Sequence, residues 1–316
     1  MDIKNMQSQR TLKYPFQVSG IGLHSGKKVT VTVKPAAPDH GIVFFRTDID
    51  SHKAIPANPV NVSSTELCTQ IGMDGVQIQT VEHLLSALYG LGVDNASVEV
   101  SGPEIPIMDG SAAPFVDAII SSGYRVQNKS KRCIIIKKAI RIRTVDGKWA
   151  EVIPSRSFKI SCTIDYDHPL IGVQKHKFHF TDNAAYVRDL SRARTFGFLK
   201  EVEFLRSRGL ARGGSLENAV VIDDFNILNE GGLRYPDEFV RHKVMDTLGD
   251  IATAGAYILG HIRTYKGGHT LNNALIKKVL CSKNRIETVN AVDLEKSAEK
   301  TVHLPEWSDC RAFIIT

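Results

Sequence analysis

Three side chains that can bind a metal or move a proton recur at four-residue intervals along Phe239–Ala252: His242, Asp246 and Asp250. An α-helix turns about 100° per residue, so all three lie on one strip of its surface. His242 and Asp246 are then about 6 Å apart along the axis, and their ring nitrogen and carboxylate oxygen can converge on one metal ion. Asp250 lies about 12 Å from His242, too far to share that ion easily. The plainer alternative is a solvated helix face.

The opposite side of the same predicted helix is apolar, with Val240, Val244, Leu248 and Ile251 at helical spacing. Such a stripe is typical of the face that a helix turns toward the protein core. We therefore expect the polar strip not to be the face that the helix buries.

A second predicted helix runs from Thr80, a candidate cap, to Gly90, and Glu82 and His83 lie in its first turn. Adjacent helical residues point in different directions, so these two do not ligate one ion comfortably. His83 can reach a metal while Glu82 acts as general base on a water, a division of roles found in zinc hydrolases. The alternative for His83 is a helix histidine without a ligand.

Two imidazoles and one carboxylate, from His83, His242 and Asp246, leave a fourth position open for water. That donor set is typical of catalytic rather than structural zinc sites. The sequence contains no P-loop, dinucleotide fingerprint or GxSxG elbow that would indicate another chemistry.

Three further residues are candidates for catalysis. His269 follows two glycines, which allow close approach of the backbone or a positive φ. A histidine near a carboxylate is a natural general acid for a leaving amine, because the carboxylate favours the imidazolium. Asp250 is our candidate for that carboxylate. Thr195 can donate its hydroxyl to a tetrahedral intermediate, and Lys243 can stabilise an oxyanion or a phosphate. The alternatives are a surface loop histidine, a threonine that caps a turn and an ordinary helix lysine.

Composition indicates a soluble globular protein: of 316 residues, 42% are hydrophobic and 23% charged. The net charge of +6 favours anionic partners only weakly, because basic and acidic residues are interspersed, and we expect no nucleic-acid partner. Neither a signal peptide nor an apolar run of the roughly 18 residues that span a membrane is present in the sequence. The five cysteines are far apart in the sequence and form no CxxC pair: Cys68, Cys133, Cys162, Cys281 and Cys310. They therefore indicate neither a disulfide framework nor a thiolate zinc site, and they fit the reducing cytoplasm.

The elements that position these residues occur as strands followed by helices, twice. This order predicts an α+β fold of two similar domains, each a mainly antiparallel sheet packed on two helices, with the active site between them. We place the domains at residues 1–126, with an insertion near 54–79, and at residues 131–316, with an insertion near 194–214. The polar stretch Arg125–Lys131 is the expected linker.

Several separate motifs, which together extend over nearly the whole chain, resemble the UDP-3-O-acyl-N-acetylglucosamine deacetylase family of lipid A biosynthesis. The motifs are Gln9–Leu12, Gly20–Gly26, Thr80–Leu88, Pro106–Ala112, Arg241–Asp250 and Gly267–Asn273. The resemblance implies a zinc amidase that removes acetate from the nitrogen of a UDP-linked, acylated glucosamine.

Carried over residue by residue, the resemblance implies that His83, His242 and Asp246 bind Zn²⁺, that Glu82 is the general base and that His269 is the general acid. It further implies that Asp250 tunes the general acid, and that Thr195 and Lys243 stabilise the oxyanion or bind substrate. It also implies that Phe196 and Leu199 line an acyl-chain passage within residues 194–214. Tyr166 would then lie near the nucleotide. The alternative for the apolar passage residues is packing against the second sheet. We expect a cytoplasmic monomer that makes transient contact with the inner membrane surface.

Two other function classes stay open at this point. A zinc amidase or peptidase with another substrate would use the same ligands, and the acyl passage and substrate trials would separate it. A non-enzymatic binding module predicts neither bound metal nor hydrolysis, which elemental analysis of the purified protein would show.

Overall fold

The computed structural model describes residues 7–50 and 53–294. The predicted start of the first domain at residue 1 and the predicted end of the second at residue 316 lie outside these ranges. The first part of the chain contains β1 (Ser8–Leu12), β2 (Phe16–Ile21), β3 (Lys28–Pro35), β4 (Ile42–Arg46), β5 (Ile55–Pro56), β6 (Val62–Ser64), β7 (Gln70–Met73), β8 (Val76–Ile78), α1 (Glu82–Leu91), β9 (Ala96–Val100), α2 (Ala113–Ser122) and β10 (Tyr124–Ser130). A short 3₁₀ turn, Pro59–Asn61, lies between β5 and β6. The second part contains β11 (Arg132–Ile136), β12 (Ile140–Arg143), β13 (Trp149–Ile153), β14 (Lys159–Asp165), β15 (Val173–His179), α3 (Asn183–Asp189), β16 (Phe196–Phe198), α4 (Leu199–Ser207), β17 (Val220–Ile222), α5 (Glu238–Ala252), β18 (Tyr257–Leu259), β19 (His261–Tyr265), α6 (His269–Cys281) and β20 (Ile286–Asn290).

Two five-stranded sheets repeat one strand pattern, in the orders β2-β3-β9-β4-β5 and β12-β13-β19-β14-β15. In each sheet the central strand, β9 or β19, is antiparallel to one neighbour and parallel to the other, and every remaining pair is antiparallel. The expected α+β fold with mainly antiparallel sheets is therefore confirmed. The domain boundaries at residues 126 and 131 stay a prediction.

The predicted insertions contain short elements that stand apart from the two large sheets. Within the first insertion, β6, β7 and β8 form a three-stranded sheet, and β8 ends shortly before α1. In the second insertion, β16 precedes α4 and pairs in parallel with β17, which lies beyond the insertion. Arg194, at the start of the second insertion, is hydrogen-bonded to Glu238, the first residue of α5.

The polar stretch that we expected to be a linker is a paired strand. β10 is antiparallel to β1, and Lys131, which follows it, is 2% exposed, with its Nζ 2.7 Å from Oδ2 of Asp94 and 2.8 Å from the carbonyl oxygen of Gly92. Polar composition alone did not reveal the strand, because its stability comes from backbone pairing and a buried ion pair rather than from an apolar face.

Helix α5 is buried on both sides, so the expectation that its polar strip would not be buried is wrong. His242, Asp246 and Asp250 are 1%, 3% and 2% exposed. The apolar side of α5 packs on the second large sheet, and α1 covers the other side. A helix between two layers is buried all round, which the periodicity of its own sequence does not show.

The close approach of α1 to α5 depends on Gly249. A methyl group at Gly249 would lie 2.0 Å from the carbonyl oxygen of Glu82, at the first residue of α1. Any larger side chain would push apart the two helices that carry the candidate metal ligands.

The predicted cap of α1 is wrong, because the residue before the helix is Val81. Thr80 adopts φ 58° and donates its hydroxyl to Oε1 of Glu104 instead.

The four cysteines among the described residues are free thiols, as predicted: Cys68, Cys133, Cys162 and Cys281. Cys310 lies outside the described residues. Within residues 7–50 and 53–294, no helix combines the length and the apolar character needed to cross a bilayer.

The substitution Gly249→Ala should lower the free energy of unfolding by about 1–3 kcal/mol or more, because the new methyl group meets backbone that belongs to α1. Urea denaturation followed by circular dichroism measures the change. Gly231→Ala is the matched control, since a methyl group there meets no atom within 4 Å and should change stability by less than about 0.5 kcal/mol. Equal stability of the two variants would contradict the close helix contact.

Candidate active site

Two helices from distant parts of the sequence bring three potential metal ligands together. His83 lies in the first turn of α1, and His242 and Asp246 are one turn apart on α5. One ligand atom from each residue lies within 4.8 Å of the other two, and all three side chains are buried. This geometry brings the predicted ligand set into one cluster.

The ring of His242 is oriented by the backbone. Its Nδ1 lies 3.0 Å from the carbonyl oxygen of Ala193 and donates its hydrogen there, which leaves Nε2 with a free lone pair. Nε2 faces Oδ1 of Asp246 at 3.3 Å. Sequence reasoning missed Ala193, because a backbone carbonyl carries no residue-type signal.

Asp246 has one satisfied and one unsatisfied carboxylate oxygen. Oδ2 accepts a hydrogen bond from Nζ of Lys243 at 2.9 Å. Oδ1 has no hydrogen-bond donor among the described residues, although Nε2 of His83 lies 3.6 Å away. A buried carboxylate oxygen without a partner is unfavourable, and a divalent cation between it and two imidazoles would satisfy it. The residues present therefore fit a bound metal ion.

The charge states of these side chains also suit metal binding. Burial lowers the pKa of His242 to about 3, so its ring is neutral at physiological pH. Burial on its own would raise the pKa of Asp246, but His242 and the ammonium of Lys243 outweigh it and hold that pKa well below its ordinary value. A neutral imidazole and an ionised carboxylate are the forms that ligate a metal.

Beside the ligand cluster, Glu82 and His269 face each other. Oε1 of Glu82 lies 3.8 Å from Nε2 of His269, and Nδ1 of His269 lies 2.9 Å from Oδ2 of Asp250. Burial raises the pKa of Glu82 to about 7. Burial opposes charge on His269, but the carboxylates of Asp250 and Glu82 outweigh it and raise the pKa of His269 to about 9. The pair can hold and exchange a proton near neutral pH.

His269 is the first residue of α6 and is 8% exposed, so it is not the surface loop histidine of the alternative. Gly267 serves close approach, since a Cβ there would lie 2.9 Å from Cβ of Thr264, while Gly268 is extended, so neither glycine supplies a positive φ. One turn later, Asn272 donates from Nδ2 to Oδ2 of Asp250 at 2.8 Å. Asn272 was not among the predicted site residues, although its spacing of three from His269 on a helix is the signal that could have revealed it.

The predicted substrate residues lie on one side of the cluster, with one exception. The ring of Phe196 is 6.5 Å from that of His242 and 5.7 Å from that of Tyr166, and Nζ of Lys243 lies 5.6 Å from its centre. Leu199, the exception, begins α4 and is 47% exposed.

Thr195 is fixed through its backbone. Its N–H donates to the carbonyl of Gly110 at 2.8 Å, and its carbonyl accepts from Val220 at 2.8 Å. Gly110 belongs to the first half of the chain and Val220 to the second, so Thr195 lies where the two halves meet, two residues after the carbonyl that orients His242.

Residues 9–281 match the family model described as LpxC, UDP-3-O-acyl N-acetylglycosamine deacetylase. The chain belongs to the LpxC family. LpxC relatives named UDP-3-O-acyl-N-acetylglucosamine deacetylase include one from Myxococcus xanthus (strain DK1622), 52% identical over 90% of this chain and 90% of the relative. Another, from Haemophilus influenzae (strain 86-028NP), is 51% identical over 92% of this chain and 96% of the relative. The resemblance inferred from the motifs is confirmed.

Asp246→Ala should weaken Zn²⁺ binding by more than about 100-fold. Losing a hydrogen-bond partner of a ligand typically lowers metal affinity by about 10–100-fold, and losing the ligand itself should lower it further. Competition with a chromophoric chelator measures the dissociation constant. Asp146→Ala, which removes an exposed carboxylate in the turn between β12 and β13, is the control and should bind Zn²⁺ as the wild type does. Unchanged affinity in Asp246→Ala would exclude Asp246 as a ligand.

Proposed function

We propose that the chain is a zinc-dependent deacetylase that hydrolyses the N-acetyl group of UDP-3-O-acyl-N-acetylglucosamine and releases acetate in lipid A biosynthesis. Membership of the LpxC family makes it a hydrolase of an amide bond. The observation that carries the proposal is the buried group His83, His242 and Asp246 with Glu82 and His269 directly beside it.

The roles proposed for the ligands and for the base follow from this arrangement. Zn²⁺ held by His83, His242 and Asp246 would polarise the amide carbonyl and lower the pKa of a water molecule. Glu82 accepts a proton from the attacking water through Oε1, the oxygen that faces His269. The raised pKa of Glu82 makes it a stronger base than an exposed glutamate.

His269 is proposed as the general acid. Its Nδ1 is bonded to Asp250, so the proton on Nε2, the nitrogen that faces Glu82, is the one available to the departing amine. Because Asp250 favours the imidazolium, His269 carries this proton at neutral pH before the C–N bond breaks. Asp250 thereby tunes His269.

Lys243 and Thr195 are proposed to stabilise the oxyanion of the tetrahedral intermediate or to contact substrate. Burial on its own would lower the pKa of Lys243, but Asp246 outweighs it and raises that pKa, so the ammonium persists beside the ligand cluster. The backbone contacts of Thr195 fix it two residues after Ala193, whose carbonyl orients His242. Both groups are donors suited to a developing negative charge.

The substrate's two ends are proposed to bind on either side of Phe196. Tyr166 and Lys243, whose ring and ammonium lie 5.7 and 5.6 Å from the ring of Phe196, would provide a ring and a cation for the nucleotide. β16, which begins at Phe196, leads directly into α4, where we place the acyl chain. Within the described range of α4, no side chain is buried, and Leu199 and Phe204 are 47% and 61% exposed. Exposure of this kind supports an acyl-chain passage at α4 and disfavours packing for Leu199. Phe196 packs partly against the core, with its ring 5.0 Å from that of Phe239.

The location and assembly of the protein belong to the same proposal. Free thiols at the four described cysteines support a cytoplasmic location. The exposed apolar residues of α4 support transient contact with the inner membrane surface. The monomeric state stays a prediction.

Two alternatives differ in what they predict. A binding module is disfavoured, because family membership and a general base beside the ligand cluster both point to hydrolysis. An amidase or peptidase with another substrate would keep the same zinc ligands, and it is separated by comparing UDP-3-O-acyl-N-acetylglucosamine with N-acetylated peptides as substrates.

Glu82→Gln should keep the zinc content of the wild type and lower kcat by about 10²–10⁴-fold, because the amide cannot accept the proton of water. The measurement is acetate release from the UDP-sugar, together with zinc analysis of the same sample. Glu217→Gln, at an exposed position, is the control and should retain wild-type kcat. Near-normal turnover by Glu82→Gln would remove Glu82 from the role of base.

Leu199→Ser should raise KM for the acylated UDP-sugar by about 10-fold, since loss of an apolar contact of this size is worth about 1–3 kcal/mol. The same variant should leave KM unchanged for UDP-N-acetylglucosamine without the acyl chain. Ile120→Ser, which changes an exposed apolar residue on α2 (58% exposed), is the control. Equal effects on both substrates would argue against an acyl-chain contact at Leu199.

A further inference from the structure

Thr69 contacts both helices of the site, although nothing in the sequence motifs marks it. It directly precedes β7 in the first insertion and is 1% exposed. Its backbone N–H donates to Oε2 of Glu82 at 3.0 Å, and its carbonyl accepts from the N–H of Val81 at 3.2 Å. Its hydroxyl donates to Oδ1 of Asp250 at 2.5 Å, across to α5.

On the side of the general acid, the hydroxyl of Thr69 completes the set of donors around Asp250. Oδ1 accepts from the hydroxyl of Thr69, and Oδ2 accepts from Nδ2 of Asn272. Nδ1 of His269 lies 2.9 Å from Oδ2 and 3.2 Å from Oδ1, so it faces both oxygens. Donors on both oxygens fix the rotation of the carboxylate. The plane of that carboxylate in turn fixes the ring of His269, and so the direction of its Nε2.

On the side of the general base, the backbone N–H of Thr69 distinguishes the two oxygens of Glu82. It occupies Oε2 and leaves Oε1 directed toward Nε2 of His269. One residue therefore sets the orientation of the base through its backbone and that of the acid through its side chain. A misplacement of reacting groups by about 1 Å can cost about 100-fold in rate.

We propose that Thr69 is a positioning residue for the hydrolysis, which aligns Glu82 with the pair formed by Asp250 and His269. The inference rests on the roles proposed above for Glu82 and His269. Thr69 itself acts through Asp250, since its hydroxyl is already donated to that carboxylate. Its backbone contact with Glu82 persists in any substitution, so the side-chain hydroxyl is the part that mutation can test.

The test compares Thr69→Val, which keeps the shape and removes the hydroxyl, with Thr69→Ser, which keeps the hydroxyl. Thr69→Val should lower kcat by about 10–100-fold, the range typical of lost hydrogen-bond partners that orient functional groups. Its KM and zinc content should equal those of the wild type, and Thr69→Ser should restore kcat to within about 3-fold. Thr69→Ala should match Thr69→Val in kcat, and it provides the measurement if the valine variant does not fold.

Two controls separate positioning from a general effect of losing a buried hydroxyl. Thr11→Val removes a fully buried hydroxyl that donates to the carbonyl of Asn95, far along the chain from the site, and should lower stability without changing kcat. In an Asp250→Ala background, Thr69→Val should lower kcat no further, because the carboxylate through which Thr69 acts is gone.

The outcomes distinguish this inference from the proposed function. If the wild type deacetylates the UDP-sugar and Glu82→Gln does not, but Thr69→Val keeps wild-type kcat, the positioning role is overturned and the proposed function stands. A loss of kcat in Thr69→Val that Thr69→Ser does not restore, or that persists in the Asp250→Ala background, also overturns it. Absence of deacetylation by the metal-replete wild type overturns the proposed function itself.

Discussion

The contact between Gly249 and the first residue of α1 determines whether the site exists. His83 lies on α1, and His242 and Asp246 lie on α5, so the distance between the ligands is the distance between the helices. At Gly249 that distance is as short as backbone allows, since even a methyl group would lie 2.0 Å from the carbonyl oxygen of Glu82. Because Gly249 has no side chain, the two helices can approach closely enough to bring the metal ligands and the general base together.

Close packing of the two helices also buries charge, and the site is arranged to compensate for that. Asp250 is surrounded by donors from Thr69, His269 and Asn272, and one oxygen of Asp246 is bonded to Lys243. The remaining oxygen, Oδ1 of Asp246, has no donor in the described part of the chain and faces two imidazoles. In a buried site of low dielectric constant, a cation is the partner that suits this group.

Local patterns predicted the parts of the structure that depend on residues close in sequence. The four-residue spacing of His242 and Asp246 placed them together on α5. Contacts between distant residues were not predictable in this way. Burial of the polar face of α5, the pairing of β10 with β1 and the contact of Thr69 with Asp250 all depend on tertiary structure, which periodicity does not encode.

We propose that two histidines and one aspartate from α1 and α5 bind one Zn²⁺. X-ray absorption spectroscopy at the zinc edge of the purified, metal-replete protein tests this proposal most directly. We expect a four-coordinate site with two imidazole nitrogens at about 2.0–2.1 Å, the remaining ligands oxygen and no sulfur. A zinc–sulfur distance of about 2.3 Å, or a spectrum without imidazole scattering, would contradict it.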